Sequence, residues 1–290
     1  MPEPMRSALV FGGSGQIGQA VIARLLAAGW QVAAVSRQPR APQAGLRWLP
    51  GGFDGIDGLP VRADALFSLG PLDRFAHWYS RTRFDAARVV AFGSTSVETK
   101  QASADDHERD LAARLRAGEA GVFATAAGLG AGATLLRPTL VYGAGQDRTL
   151  TRIAAMAARS GFFVLPRGAT GLRQPVHVQD LADAALAAID SNAAAGQAYA
   201  LPGGETLEYR EMVRRCLLAL RPPARLLEVP PPLFRLALAA ARRLGRMQGL
   251  GDAAIGRMGE DLCFDAAPAR RDLGYAPRMF RPTAAELGQR

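Results

Sequence analysis

The sequence predicts an α/β chain, a doubly wound parallel sheet carrying helices on both faces, with a smaller lobe after it. Two observations predict this. Short apolar runs alternate with segments of helical period along the first half of the chain. The first of these runs enters a glycine-rich turn that opens directly into a helix.

The elements follow in order. Ser7-Ala8-Leu9-Val10-Phe11 reads as a strand and runs into Gly12-Gly13-Ser14-Gly15-Gln16-Ile17-Gly18. Ile17, Val21, Ile22, Leu25 and Leu26 then recur at helical spacing, and Gly29 ends that helix. Gln31 to Val35 is a second, buried strand finishing at Ser36-Arg37, with Arg40 just beyond. Ala63 to Ser68 is a strand that breaks at Leu69-Gly70-Pro71, and Arg88 to Phe92 is another, ending at Gly93-Ser94-Thr95-Ser96. A helix from about Glu108 to Ala127 turns Leu111, Leu115 and Val122 inward, and Ala133 to Pro138 is a strand closed by Thr139 to Gly145. The organisation expected is a nucleotide-binding domain over 1–165, to which 175–202 returns, and a substrate lobe over 203–290.

The glycine turn carries the first chemistry. A strand, a glycine-rich turn and a helix N-terminus aim backbone N–H groups at one point, which suits a pyrophosphate. Gly12 permits the tight turn, Gly15 leaves room for the phosphates, and Gly18 lets the helix lie close on the strand. The residues expected to hold a dinucleotide are Gly12, Gly13, Ser14, Gly15, Gln16, Ile17 and Gly18, joined at neighbouring strand ends by Ser36, Arg37, Arg40, Ser68 and Arg137. A carboxylate after the second strand would bind the ribose 2′-hydroxyl of NAD. Here arginine stands instead and no acid opposes a 2′-phosphate, so NADP(H) is expected over NAD(H).

Composition excludes several classes. The 290 residues are 49% apolar, but charged residues interrupt every long apolar run, so no segment spans a bilayer. No signal peptide precedes the first strand, and two cysteines, Cys216 and Cys263, make no disulfide framework, so a reducing cytoplasm is expected. The net charge of +9 comes from scattered arginines and a single lysine, Lys100, without a nucleic-acid motif, so no nucleic-acid partner is expected. The acids around His107 lack the spacing of a metal cage, and His107 reads as a solvated loop histidine; no metal is expected.

Several segments together resemble the extended and atypical short-chain dehydrogenases, including the NAD-dependent epimerase/dehydratase family. They are the turn Gly12 to Gly18, the strand end Ser94-Thr95-Ser96, Arg137-Pro138-Thr139-Leu140-Val141-Tyr142-Gly143, and Pro175-Val176-His177-Val178-Gln179-Asp180-Leu181-Ala182. The likeness continues through Leu201-Pro202-Gly203-Gly204-Glu205 and Tyr209-Arg210-Glu211-Met212 to Ala269-Arg270-Arg271-Asp272-Leu273-Gly274-Tyr275-Ala276-Pro277-Arg278. It implies a Rossmann domain, a dinucleotide running across the sheet edge and a C-terminal substrate lobe.

The chain departs from that family at its chemistry. Members pair a tyrosine, as proton donor or acceptor, with a lysine four residues later. Here the only lysine follows Ser96 by four, and the corresponding helix positions, counted back from Glu119, are Leu111 and Leu115. Little chain lies between Ser68 and Arg88 for the long helix that forms the family's dimer interface, so the oligomeric state is left open. By position, the catalytic candidates are Ser94, Thr95 and Ser96, whose hydroxyls could polarise a carbonyl or simply close the strand end, and Tyr142, either a relocated acid or a packing residue. His177 reads as structural and Asp180 as the cap of the following helix. Pro230-Pro231-Pro232 starts an amphipathic helix with Arg242, Arg243 and Arg246 after it; it is expected to cover the lobe, not to lie on a membrane. The leading function is an NADPH-dependent oxidoreductase passing hydride to a small-molecule substrate or redox acceptor, such as a quinone or activated enone. A catalytically silent NADP(H) sensor or assembly protein, and a nucleotide-sugar-type epimerase/dehydratase with a non-standard base, stay open beside it.

Overall fold

The computed structural model describes residues 5–243 and 256–289. Strand β1 (Ser7–Phe11) leads through the glycine turn into α1 (Gln16–Ala27), then β2 (Gln31–Ser36), β3 (Leu46–Gly52), β4 (Gly55–Ile56) and β5 (Arg62–Ser68). Next come α2 (Leu72–Thr82), β6 (Asp85–Phe92), the one-turn α3 (Ser96–Thr99), α4 (Asp106–Gly128), β7 (Gly132–Pro138) and β8 (Val141–Tyr142). The chain continues through α5 (Leu150–Ser160), β9 (Phe162–Pro166), β10 (Leu172–Arg173), β11 (Val176–His177) and α6 (Val178–Asp190). It ends with β12 (Gln197–Leu201), β13 (Leu207–Glu208), α7 (Tyr209–Leu218), β14 (Arg225–Val229), α8 (Pro231–Arg243) and α9 (Ala267–Leu273).

Two compact units share these elements. The first comprises Met1–Thr139, Val178–Leu201 and Asp265–Ala276. Its sheet runs β12-β7-β6-β5-β1-β2-β3-β4, parallel except for β4, which folds back on β3 as a hairpin. The expected Rossmann-type architecture is present. Strand order grows outward from β1 in one direction through β2 and β3, and in the other through β5, β6, β7 and β12. The boundary between β1 and β5 is therefore the switch point, where a crevice opens beyond the strands' carboxyl ends. Register aligns those ends: Phe11 lies beside Val35 and Ser68, and Ser68 beside Ala91.

Side chains alternate across the sheet. Leu9, Phe11, Leu66, Val89 and Leu135 join Phe75, Trp78 and Tyr79 of α2 and Val122 of α4 in one core cluster. Helices α1 and α6 pack against each other. Arginine at the N-terminal edge and along α1 finds acids on α6: Arg6 pairs with Asp190 and Arg24 with Asp183.

The second unit comprises Leu140–His177, Pro202–Phe264 and Pro277–Arg290. Three two-stranded sheets, β8 with β11, β9 with β14 and β10 with β13, surround α5 and α7. Tyr142, Leu150, Ile153, Leu165, Met212, Val213 and Phe280 form its core.

Several sequence expectations need correction. The division falls at Thr139, not near 165, because β8 pairs with β11 and α5 packs into the second core. Residues 265–276, expected in the lobe, belong to the first unit: Tyr199 of β12 donates to Asp272 at 2.9 Å, and Ser191 donates to the Asp272 carbonyl. Asp180 lies inside the first turn of α6, which starts at Val178 directly after β11, and is buried there. His107 is not in a loop but in the first turn of α4, where Asp105 caps its backbone N–H. On α8 the apolar residues split between two faces: Phe234 and Leu238 are buried, while Leu233 and Leu236 are exposed. Arg246 lies outside the described residues. No helix among the described residues is long and apolar enough to cross a membrane.

Candidate dinucleotide site

The site grows from the end of β1. Gly12 takes φ +74°, which favours glycine, and a Cβ there would stand 2.8 Å from the Leu69 carbonyl just after β5. The glycine turn is thus pressed against the switch point. Gly15 N–H donates to the Gly12 carbonyl at 3.0 Å and closes the turn. A Cβ on Gly18 would stand 2.2 Å from the same carbonyl, so α1 can lie this close only without a side chain. Gly13 is less tightly confined, since its Cβ would meet the tip of a side chain, Ile22 Cδ1, at 2.7 Å and not backbone.

Gly15 differs from these three. Its backbone is extended, at φ −79° and ψ 173°, and its Cβ would meet only the Gly12 carbonyl, at 3.3 Å. Neither strain nor a crowded core demands glycine there, which leaves the open space above the turn as the reason. No side chain caps α1, so its first-turn N–H groups point unclaimed by protein side chains. This is an anion cradle.

Around the cradle the strand ends contribute unequally. Ser68 is fully buried beside Phe11, and its hydroxyl has no partner among the described residues; the Gln16 side-chain oxygen is also buried and without a partner among them. An open cradle with orphaned polar atoms beside it fits a dinucleotide. Ser36, by contrast, spends its hydroxyl on its own turn, donating to the Gln38 carbonyl at 2.8 Å. Arg37 is exposed, its stem 3.7 Å from where a Gly52 side chain would begin. Arg40 lies over the Trp48 ring, 5.1 Å from its centroid. Neither arginine pairs with a carboxylate among the described residues, so both charges face outward.

Sequence reasoning missed Trp48 and Phe53. Phe53 stacks on Phe11 with centroids 4.9 Å apart and lies 3.6 Å from where a Gly70 Cβ would be. The signal was Gly51-Gly52: Gly51, at φ +137°, turns β3 into the β4 hairpin that carries Phe53 over the sheet.

The carboxyl end of β6 holds the hydroxyl candidates. Thr95 is spent on β7, its N–H and hydroxyl both 3.3 Å from the Pro138 carbonyl. Ser94 Oγ accepts from the Ser96 N–H. Ser96, half-buried at the start of α3, has a hydroxyl that makes no hydrogen bond to described residues. Thr95 is spent, while Ser96 and Ser94, whose own O–H proton has no acceptor among the described residues, both have a hydroxyl to offer a ligand.

Arg137 does not stand free beside them. Its Nε and Nη2 donate to the two oxygens of Glu119, at 2.8 and 2.5 Å, and Nη1 donates to Glu98 at 2.9 Å. Glu119 is 5% exposed, and a buried carboxylate needs a countercharge. Hydrogen bonding to Glu119 raises the Arg137 pKa further above its ordinary value, opposed by desolvation. The expected cofactor arginine is therefore an internal clamp between β7 and α4. Leu111 and Leu115, the two turns of α4 before Glu119, are half-buried and aliphatic. Lys100 is held by Glu108 at 3.3 Å.

Tyr142 and His177 belong to the second unit. Tyr142 is 1% exposed, edge-on to the rings of His177 and Phe280 at 5.0 and 4.9 Å. His177 is buried and shares a hydrogen bond of 3.1 Å with Glu286. Gly143 makes room for that ring, since a Cβ there would stand 2.4 Å from His177 Nε2. Tyr142 is a core residue, not a side chain of the cradle.

The profile of the NAD-dependent epimerase/dehydratase family matches residues 8–51 and 76–201, which takes in the cradle, the ends of β2 and β6, and α4. The chain belongs to that family. Among its relatives, a 2-alkyl-3-oxoalkanoate reductase of Stenotrophomonas maltophilia is 25% identical over 93% of this chain and 94% of the relative. Subunit 9 of the NADH dehydrogenase [ubiquinone] 1 alpha subcomplex from Arabidopsis thaliana mitochondria is 32% identical, but over 38% of this chain and 27% of its own. In structure, MoeE5, solved with UDP-glucuronic acid and NAD, superposes with a TM-score of 0.71 at 21% identity, covering 97% of each chain.

Proposed function

We propose that this family member is an NADP(H)-dependent oxidoreductase that passes hydride to a small-molecule acceptor without the family's tyrosine. The observation that carries the reading is the contrast at the cradle. The backbone and arginine features for the cofactor are present, and the two helix positions for the proton machinery are leucines.

Gly12 to Gly18 would hold the pyrophosphate, and Arg37, with Arg40 stacked on Trp48, would take the 2′-phosphate. Ser68 and the Gln16 side chain offer polar atoms at the switch point. When bound, the reduced nicotinamide supplies a hydride. This chain's part is to orient an acceptor at the carboxyl end of β6, where Ser96 offers a hydroxyl to a carbonyl or quinone oxygen and solvent replenishes its proton. The reductase relative, matched along nearly its whole length, supports a redox reading over an epimerase one. Both cysteines are free thiols, in keeping with a cytoplasmic setting.

A second reading has its own support. Arg137, Glu119, Lys100 and Glu108 are engaged in internal ion pairs, which suits a protein that binds NADP(H) without turning it over. Turnover separates the two. Purified protein with NADPH and a panel of quinones, enones and β-keto acids should oxidise the cofactor, and Ser96→Ala should slow the best acceptor about tenfold to a hundredfold. Tight NADPH binding with no turnover across the panel would establish the silent reading instead.

A further inference from the structure

We infer that Trp48 is the residue that selects NADP(H) over NAD(H), because its ring holds Arg40 in place for a 2′-phosphate. The inference rests on the proposed cofactor and deepens it, assigning the selection to an aromatic ring and not to charge alone. Strand β3 places the indole. Ala34 of β2 lies beside Trp48 in register, so the two side chains share a face of the sheet. The glycine turn passes over that face: a Cβ on Gly13 would stand 3.3 Å from Ala34 Cβ and 3.6 Å from Trp48 Cη2. Leu49, the next residue, turns to the opposite face and joins the core there. One edge of the ring therefore reaches the turn that would hold the pyrophosphate.

The segment after β2 brings Arg40 to the same ring. Ser36 Oγ donates to the Gln38 carbonyl at 2.8 Å and accepts from the Gln38 N–H at 3.2 Å, which tightens the chain just past the strand. Pro39 fixes the next φ. Arg40 Cζ then lies 5.1 Å from the Trp48 centroid, within cation–π range. The indole thus touches the anion cradle with its edge and carries a guanidinium on its face. In NADP(H) a single ribose separates the 2′-phosphate from the pyrophosphate, and a ring that reaches both positions sets the spacing between them.

The chemistry of arginine gives the ring its role. A free arginine side chain samples many rotamers, and ordering it weakens whatever binding requires it. Stacked on the indole, Arg40 is ordered beforehand. Its N–H donors lie in the guanidinium plane, so stacking leaves them open to a phosphate. Arg40 is exposed and meets no carboxylate among the described residues that would claim them. Arg37 has no ring beneath it; its stem lies along β3 near Gly52, with Cγ 3.7 Å from where a Cβ would begin. A cofactor without the 2′-phosphate gains nothing from the stacked pair.

The test is calorimetric titration of the full-length protein with adenosine 2′,5′-bisphosphate and with 5′-AMP. These differ only in the 2′-phosphate and carry no nicotinamide, so turnover plays no part. The parent should bind the bisphosphate several-fold more tightly. Trp48→Leu keeps an apolar side chain beside Gly13 but offers no π face. It should weaken the bisphosphate about fivefold, the worth of an exposed cation–π contact, and leave AMP nearly unchanged. Trp48→Phe should restore most of the loss. In an Arg40→Ala background Trp48→Leu should have no further effect, since the ring acts through that arginine. A preference that survives Trp48→Leu overturns the inference and leaves Arg37 as the reader of the 2′-phosphate. Equal losses for both ligands also overturn it and make Trp48 a packing residue. Equal binding of the two ligands by the parent removes the NADP(H) assignment itself. Should Trp48→Leu fail to fold, the parent's fluorescence decides. Of the three tryptophans, Trp30 and Trp78 are each 5% exposed and Trp48 is half-buried, so iodide quenching reads Trp48. Saturating bisphosphate should protect that emission, and unchanged quenching overturns the inference.

Discussion

The cradle after β1 and the strand end after β6 stand on the same sheet, yet they have diverged to different degrees from what their family implies. At the cradle the glycine turn and the uncapped start of α1 are in place, while Ser36 and Arg137 are engaged elsewhere. Gly12, Gly13 and Gly18 are locked by backbone or core atoms less than 3.0 Å from any added Cβ. At the strand end the chain holds no tyrosine with a lysine four residues on, since its single lysine follows Ser96 by four. Two leucines occupy the helix, Lys100 is tied to Glu108, and Arg137 is clamped by Glu119 and Glu98. The difference lies in what each region is made of. A pyrophosphate site built from main-chain N–H groups is inseparable from the fold, since replacing its glycines damages the packing of α1 on β1. A tyrosine and a lysine on a helix surface can be exchanged for leucines while the helix remains. On the proposed function, binding is the durable property of this architecture and chemistry the replaceable one.

This comparison can be broken most severely at Glu119. Glu119→Ala leaves the Arg137 guanidinium half-buried with only the more exposed Glu98 to answer it. The expected loss is about 3–5 kcal/mol of folding stability, the range for removing one partner of a buried ion pair. Chemical denaturation measures it. A change below about 1 kcal/mol, the range of surface pairs, would mean that the clamp is not structural and that Arg137 is free for ligands.

A smaller effect is expected at the adenosine end. Arg37→Ala removes an exposed charge that touches no carboxylate among the described residues, so the melting temperature should hold. NADPH affinity should fall by about 1–3 kcal/mol, the worth of a charge-assisted hydrogen bond, while NADH affinity stays put. Titration calorimetry with both cofactors reads this directly. Equal losses for the two would remove the 2′-phosphate from the assignment.

The smallest effect is expected at Tyr142. Tyr142→Phe keeps the ring that packs edge-on against His177 and Phe280, so turnover of NADPH should change less than about threefold. A hundredfold loss is what removing a general acid costs, and it would make Tyr142 the relocated proton donor and the tyrosine-independent account wrong.

How much of this was legible in sequence follows the same division. Strands β1, β2, β5, β6 and β7 could be read because each is a short apolar run bounded by glycine, proline or hydroxyl residues. The β3–β4 hairpin could not. Leu46–Gly52 contains Pro50, Gly51 and Gly52, which as a sequence reads as loop, and only pairing with β2 makes it strand. The missing tyrosine and lysine were visible as absences. The partner of Arg137 was not, because Glu119 lies on another element and no local pattern links the two. For the same reason Ser36 and Thr95 looked available at strand ends, whereas their hydroxyls are consumed by the Gln38 and Pro138 carbonyls. Position predicts which side chains stand near a site; only the structure tells which still have a hydrogen bond to give.

The central claim is that within the cradle Gly15, unlike Gly12 and Gly18, is kept for a ligand and not for the fold. Its backbone is one any residue adopts, and a side chain there meets little protein. Calorimetric titration of NADPH into Gly15→Val, alongside its thermal melt, tests the claim most directly. The expected result is a melting temperature close to the parent's with cofactor binding abolished. A variant that melts like the parent and still binds NADPH with the parent's affinity would contradict it, reducing the cradle to an ordinary turn.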